Sequence, residues 1–103
     1  MDSFNEIDVQ QAEELIKQGN VTIVDIRDQN SFEQDHIESA LSVRDSNIEE
    51  FVNNADKNKP VLCYCYSGFS SQGAAQYIKD QGFETVYSLI GGFSGWQNAH
   101  SGD

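Results

Sequence analysis

Val61-Leu62-Cys63-Tyr64-Cys65-Tyr66-Ser67-Gly68-Phe69-Ser70-Ser71 starts as an unbroken apolar run and ends in small, flexible residues. Val61 to Cys65 has the length and the continuous apolarity of a strand buried on both faces. Ser70 to Gln81 has the pattern of a helix, with Gly73, Ala74 and Ala75 expected on a close-packing face and Gly82 ending it. A buried strand that turns through a Gly/Ser loop into a helix is a building unit of a parallel sheet covered by helices.

Working outward, the same alternation fills the chain. Phe4–Ile7 is expected as a short first strand. Asp8 and Gln11 have capping-box spacing for a helix with Val9, Ala12, Leu15 and Ile16 on its apolar face and Gly19 as its stop. The β-branched run Val21–Ile26 predicts a second buried strand. A short helix around Ser31–Gln34, a strand near Ala40–Val43 and a helix near Ile48–Asn54 follow. Val86–Ile90 predicts the last strand, and Gly91-Gly92 turns into a short final helix with Phe93 and Trp96. No linker or internal repeat divides the chain, so residues 1–103 form a single expected domain. The fold class is α/β: an open parallel sheet with helices on both faces. In such sheets sites form at the carboxyl ends of strands, and Cys65 is expected as the last residue of one.

Composition narrows the function. The chain has 17 acidic and 6 basic residues, a net charge of −11, which argues against nucleic acid and anionic membranes as partners. No apolar run approaches the roughly 20 residues that cross a bilayer, and no basic-then-apolar leader opens the chain, so a cytoplasmic location is expected. From Pro60 to Ile78 there is no charged residue, and both cysteines lie inside that window.

Two cysteines one residue apart allow three chemistries. A zinc site needs about four ligands at regular spacing, and Cys63, Cys65, His36 and His100 do not supply them, so no metal is expected. A Cys63–Cys65 disulfide spans i to i+2 of an extended strand, close to the limit of about 7 Å between Cα atoms, and would distort it. A single nucleophile at Cys65 fits better. Gly68 permits positive φ, so backbone amides of the loop can converge on the sulfur, and the start of the Ser70 helix adds partial positive charge. Such a cradle lowers a thiol's pKa. Cys63 is expected to be a small buried hydrophobe, facing the same side of the sheet as Cys65 but one pleat deeper.

Three blocks of sequence resemble the single-domain rhodaneses over essentially the whole chain. Val24-Asp25-Ile26-Arg27-Asp28, with Phe32 and His36-Ile37-x-x-Ala40, is similar to the family's first signature. Cys65-Tyr66-Ser67-Gly68-Phe69-Ser70-Ser71 is similar to its active loop. Val86-Tyr87 with Gly91-Gly92-Phe93-x-x-Trp96 is similar to its closing signature. The resemblance implies a five-stranded parallel sheet and a catalytic Cys65. It further implies a thiosulfate sulfurtransferase that works by a ping-pong reaction through an enzyme persulfide. The donor is then a small anion held by Tyr66, Ser67, Gly68, Phe69, Ser70 and Ser71. The acceptor is cyanide or a dithiol protein of the thioredoxin type, and no cofactor is implied. Many relatives carry Arg in the loop, where this chain has Tyr66 and Ser70, so binding of a dianion must rest on amides and hydroxyls. Asp25 and Arg27 with Asp28 are expected to pair structurally, and His36 to be a hydrogen-bonded structural residue. Two alternatives remain: a partner-binding module without chemistry, and a cysteine phosphatase. The latter needs Cys-x5-Arg, and Ser71 stands at the Arg position.

Overall fold

The computed structural model describes residues 3–101. The expected alternation is present as five strands and five helices: β1 Asn5–Ile7, α1 Val9–Lys17, β2 Thr22–Asp25, α2 Gln29–Gln34, β3 Leu41–Ser42, α3 Ile48–Asn54, β4 Val61–Tyr64, α4 Ser70–Asp80, β5 Val86–Leu89 and α5 Gly92–His100. All strand pairs are parallel, in the order β1-β5-β4-β2-β3. The most apolar strand, β4, is central, with all four residues buried. Alternation along it divides the core. Leu62 and Tyr64 join Ala12, Ile37 and Phe93 on the face covered by α1, α2 and α5. Val61 and Cys63 join Val52, Ala75 and Ile78 on the face covered by α3 and α4.

Local chemistry sets the element ends. The Gln11 amide donates to Asp8 Oδ1 at 2.8 Å and the Asp8 amide to Gln11 Oε1 at 2.9 Å, the expected capping box. Asp28 does not join the buried charge pair: its carboxylate caps α2, which therefore starts at Gln29, ahead of the expected Ser31. The helix after the cysteine loop presents Ser71, Ala75 and Ile78 inward, so Ala75 of the expected Gly73-Ala74-Ala75 run packs while a 3.6-residue period turns Gly73 outward. The final helix runs nine residues, longer than its two aromatic anchors suggested.

At the carboxyl end of β2, fully buried Asp25 accepts from the Arg27 amide at 2.8 Å and from its Nη2 at 2.7 Å. Arg27 Nη2 also donates to the Asp35 carbonyl at 2.6 Å, and the guanidinium lies 4.2 Å from the centre of the Phe93 ring. This pair ties the β2–α2 turn to α5. His36 is structural as expected: its Nδ1 lies 2.7 Å from the Phe32 carbonyl and its ring stacks on Phe32.

The connection between α5 and the loop after β4 fixes the site. Phe93 N–H donates to the Cys65 carbonyl at 2.8 Å and Ser94 N–H to the Tyr66 carbonyl at 3.0 Å. Such an approach of two backbones requires glycine. A Cβ on Gly92 would lie 2.5 Å from the Cys65 carbonyl oxygen and 2.6 Å from the Gly68 nitrogen, and Gly92 has φ +57°. Gly68 (φ +96°) is as tightly held from the other side, with the Gly91 nitrogen 2.8 Å from where its Cβ would be.

Two outcomes are expected. Arg27→Met strands the Asp25 carboxylate in the core, so denaturant unfolding should show a loss of about 3–5 kcal/mol. Gly92→Ala forces the two backbones apart and should cost at least about 2 kcal/mol by the same measurement. A neutral Gly92→Ala would show that the interlock is loose.

Candidate active site

The loop 65–69 joins β4 to α4 and curls around one sulfur. Cys65 itself lies one residue beyond the last β4 residue, Tyr64, not within the strand as expected. The loop's turn starts there, because the Cys65 carbonyl is spent on α5 rather than on a neighbouring strand. Gly68, with its positive φ, aims its N–H at Cys65 Sγ, 3.0 Å away. Ser71 Oγ lies 3.5 Å from the same sulfur. No side chain caps the first turn of α4, and the sulfur faces the amides there instead. Burial pushes the Cys65 thiol up, but hydrogen bonds from the Ser71 hydroxyl and from the amides of Ser71, Gly68 and Ser67 outweigh it. The net effect holds the thiol below its ordinary value. Cys63 has no such partners, and burial alone pushes it up to about 12.

The structure brings the loop residues together but in two groups. Ser71 is fully buried, so it serves the sulfur and does not reach a molecule in solvent. Gly68 is also buried, whereas Ser67 and Ser70 are exposed. Tyr66 (64% exposed) and Phe69 (78%) project outward, so neither packs over the sulfur. Cys65 is only 5% exposed, so a molecule that reaches its sulfur must present a single projecting atom.

One contributor escaped the sequence reading. Ser88 of β5 is buried, and its hydroxyl lies 2.8 Å from Ser71 Oγ, which orients that hydroxyl beside the sulfur. The available signal was a hydroxyl at an inward position of a buried strand, paired in register with Cys63. Among the described residues no group of three or more His, Cys, Asp or Glu side chains is placed to hold a metal ion.

Known proteins are similar to this chain along nearly its whole length. A Rhodanese-like domain model matches residues 8–99. A Coxiella burnetii protein named Thiosulfate sulfurtransferase GlpE is 47% identical over 97 residues, 94% of this chain and 91% of that protein. A Shewanella oneidensis protein of the same name is 46% identical over 101 residues, covering 98% of this chain and all of that one. Among solved structures, a Rhodopseudomonas palustris protein of unknown function, described as a possible tyrosine phosphatase, is 30% identical with a TM-score of 0.81. That match covers 93% of this chain and 81% of the other. The sheet order, the cysteine loop and these matches along nearly the full length agree, and the chain belongs to the rhodanese-like domain family.

Proposed function

We propose that this protein is a thiosulfate sulfurtransferase that carries a sulfane sulfur as a persulfide on Cys65. The observation that carries this reading is the sulfur's setting: a Gly68 amide at 3.0 Å, the Ser71 hydroxyl at 3.5 Å and a depressed thiol. The relatives named as thiosulfate sulfurtransferases support the same activity.

In the first half-reaction the Cys65 thiolate attacks the outer sulfur of thiosulfate. A new S–S bond forms, the bond to the sulfonate sulfur breaks, and sulfite leaves with the electron pair. No proton moves, so no general base is needed. The amides that faced the thiolate then face the persulfide. In the second half-reaction a nucleophile attacks the outer persulfide sulfur and Cys65 leaves as a thiolate, a departure its low pKa favours. Cyanide, leaving as thiocyanate, is the simplest acceptor.

A dithiol protein of the thioredoxin type is the macromolecular acceptor this reading favours. Among the described residues, Tyr66, Phe69 and Ile90 are three of the four large exposed apolar side chains, and Phe69 and Ile90 border one cleft beside the loop. That rim suits contact with another protein's surface around a reactive cysteine. A cytoplasmic setting fits two free cysteines, and among the described residues no helix is long and apolar enough to cross a membrane. A phosphatase reading is weaker, because the position that needs a phosphate-gripping Arg holds the buried Ser71.

Intact mass after incubation with thiosulfate tests the proposal. Wild type and Cys63→Ser should each gain one sulfur atom, and Cys65→Ser should gain none. Loss of the gain in a folded Cys63→Ser would instead point to a two-cysteine mechanism.

A further inference from the structure

A chain of contacts runs from β5 to the reactive sulfur. Ser88 Oγ lies 2.8 Å from Ser71 Oγ, and Ser71 Oγ lies 3.5 Å from Cys65 Sγ. Ser71 stands in the first turn of α4 and Ser88 in β5, and both are buried. Among the described residues, the Ser88 hydroxyl has Ser71 Oγ as its one hydrogen-bond partner, and Ser71 Oγ adds only the sulfur. Cys63, which pairs in register with Ser88, stays a neutral thiol, since burial pushes it up to about 12.

Proton number sets the direction of this chain. A hydroxyl has one proton to donate, a thiol one and a thiolate none. With Cys65 as a thiol, three donors compete for the two contacts, and one buried donor is left over. With Cys65 as a thiolate, both hydroxyl protons are used in a single order. Ser88 O–H donates to Ser71 Oγ, and Ser71 O–H donates to the sulfur. A buried donor without an acceptor is costly, so the pair favours negative charge on Cys65 Sγ. A hydroxyl that accepts one hydrogen bond also donates a stronger one. Burial opposes that charge, and the Ser71 hydroxyl is the first of the groups that offset it.

Between the two half-reactions Sγ is neutral, and it becomes an anion again when an acceptor takes the outer sulfur. We propose that Ser88 is a positioning residue for this second half-reaction, aiming the Ser71 hydroxyl at Cys65 Sγ as that sulfur departs as a thiolate. The assignment rests on the Cys65 persulfide reading. The acceptor's electron pair forms a bond to the outer sulfur, the S–S bond breaks, and its pair stays on Sγ, where Ser71 O–H donates. No proton is transferred, and no oxidant or reductant enters. The same stabilisation makes the free thiolate a weaker nucleophile, so Ser88 favours departure over attack.

Two measurements test the assignment, both in Cys63→Ala protein so that Cys65 is the single thiol. The first is the pH dependence of alkylation by iodoacetamide in Ser88→Ala, in Ser71→Ala and in the double variant. Ser88→Ala leaves only the thiol S–H to fill Ser71 Oγ and should raise the Cys65 midpoint by about half a unit to one unit. In the Ser71→Ala background the same substitution should move the midpoint by less than about 0.3 units, since Ser88 acts through Ser71. The second is steady-state kinetics with thiosulfate and cyanide, at a pH where alkylation of both proteins has reached its plateau. There kcat/KM for thiosulfate reports attack by the free enzyme, and kcat/KM for cyanide reports departure from the persulfide. In Ser88→Ala the cyanide value should fall about threefold while the thiosulfate value holds or rises, as a Brønsted slope of about 0.4–0.5 gives for a one-unit shift. An unmoved midpoint in Ser88→Ala, an equal shift with and without Ser71, or a parallel fall of both kcat/KM values overturns the assignment. Failure of the persulfide reading shows separately, as no mass gain from thiosulfate, and the alkylation series then still decides whether Ser88 acts on Cys65 through Ser71.

Discussion

The contact on which the site depends is between two stretches of backbone, the loop after β4 and the start of α5. Phe93 and Ser94 amides take the carbonyls of Cys65 and Tyr66, and Gly92 removes the only atom that would keep the chains apart. With two successive carbonyls turned toward α5, the amides further along the loop are free to turn the other way, toward the sulfur. Gly68 completes the curl through a positive φ that other residues resist. The cradle is thus a consequence of main-chain geometry, enforced from a helix more than twenty residues downstream.

Electrostatics explains why that geometry suits a protein with so few cations. A thiolate can be stabilised by a nearby Lys or Arg, but the window around Cys65 has none, and the net charge is −11. Amide dipoles and one hydroxyl do the same work at short range without adding charge that would need desolvation. Ser88 matters here because a lone buried hydroxyl at Ser71 would otherwise have to satisfy itself elsewhere. Arg27 cannot serve the sulfur, since its guanidinium is committed to Asp25, Asp35 and the Phe93 ring.

Much of this was legible in the chain. Apolar runs at β2, β4 and β5 and the Asp8–Gln11 box identify their elements because those signals are local. The parallel sheet follows from alternation, and the proposed nucleophile is the one cysteine that sits where a buried run meets a Gly/Ser loop. What was not legible depends on partners distant in sequence. Nothing near Ser88 in the chain says that it will meet Ser71. Even the end of β4 is set remotely, since α5 captures the Cys65 carbonyl. On α4 small size suggests packing at Gly73 as well as Ala75, but helical phase buries Ala75 and turns Gly73 outward.

The central claim is that backbone amides and the Ser71 hydroxyl hold the Cys65 thiol below its ordinary pKa with no cationic side chain. The pH dependence of Cys65 alkylation by iodoacetamide, followed by mass in Cys63→Ser protein, measures this directly. The account predicts a midpoint clearly below the roughly 8.5 of a free thiol. A midpoint at or above the free-thiol value would contradict it.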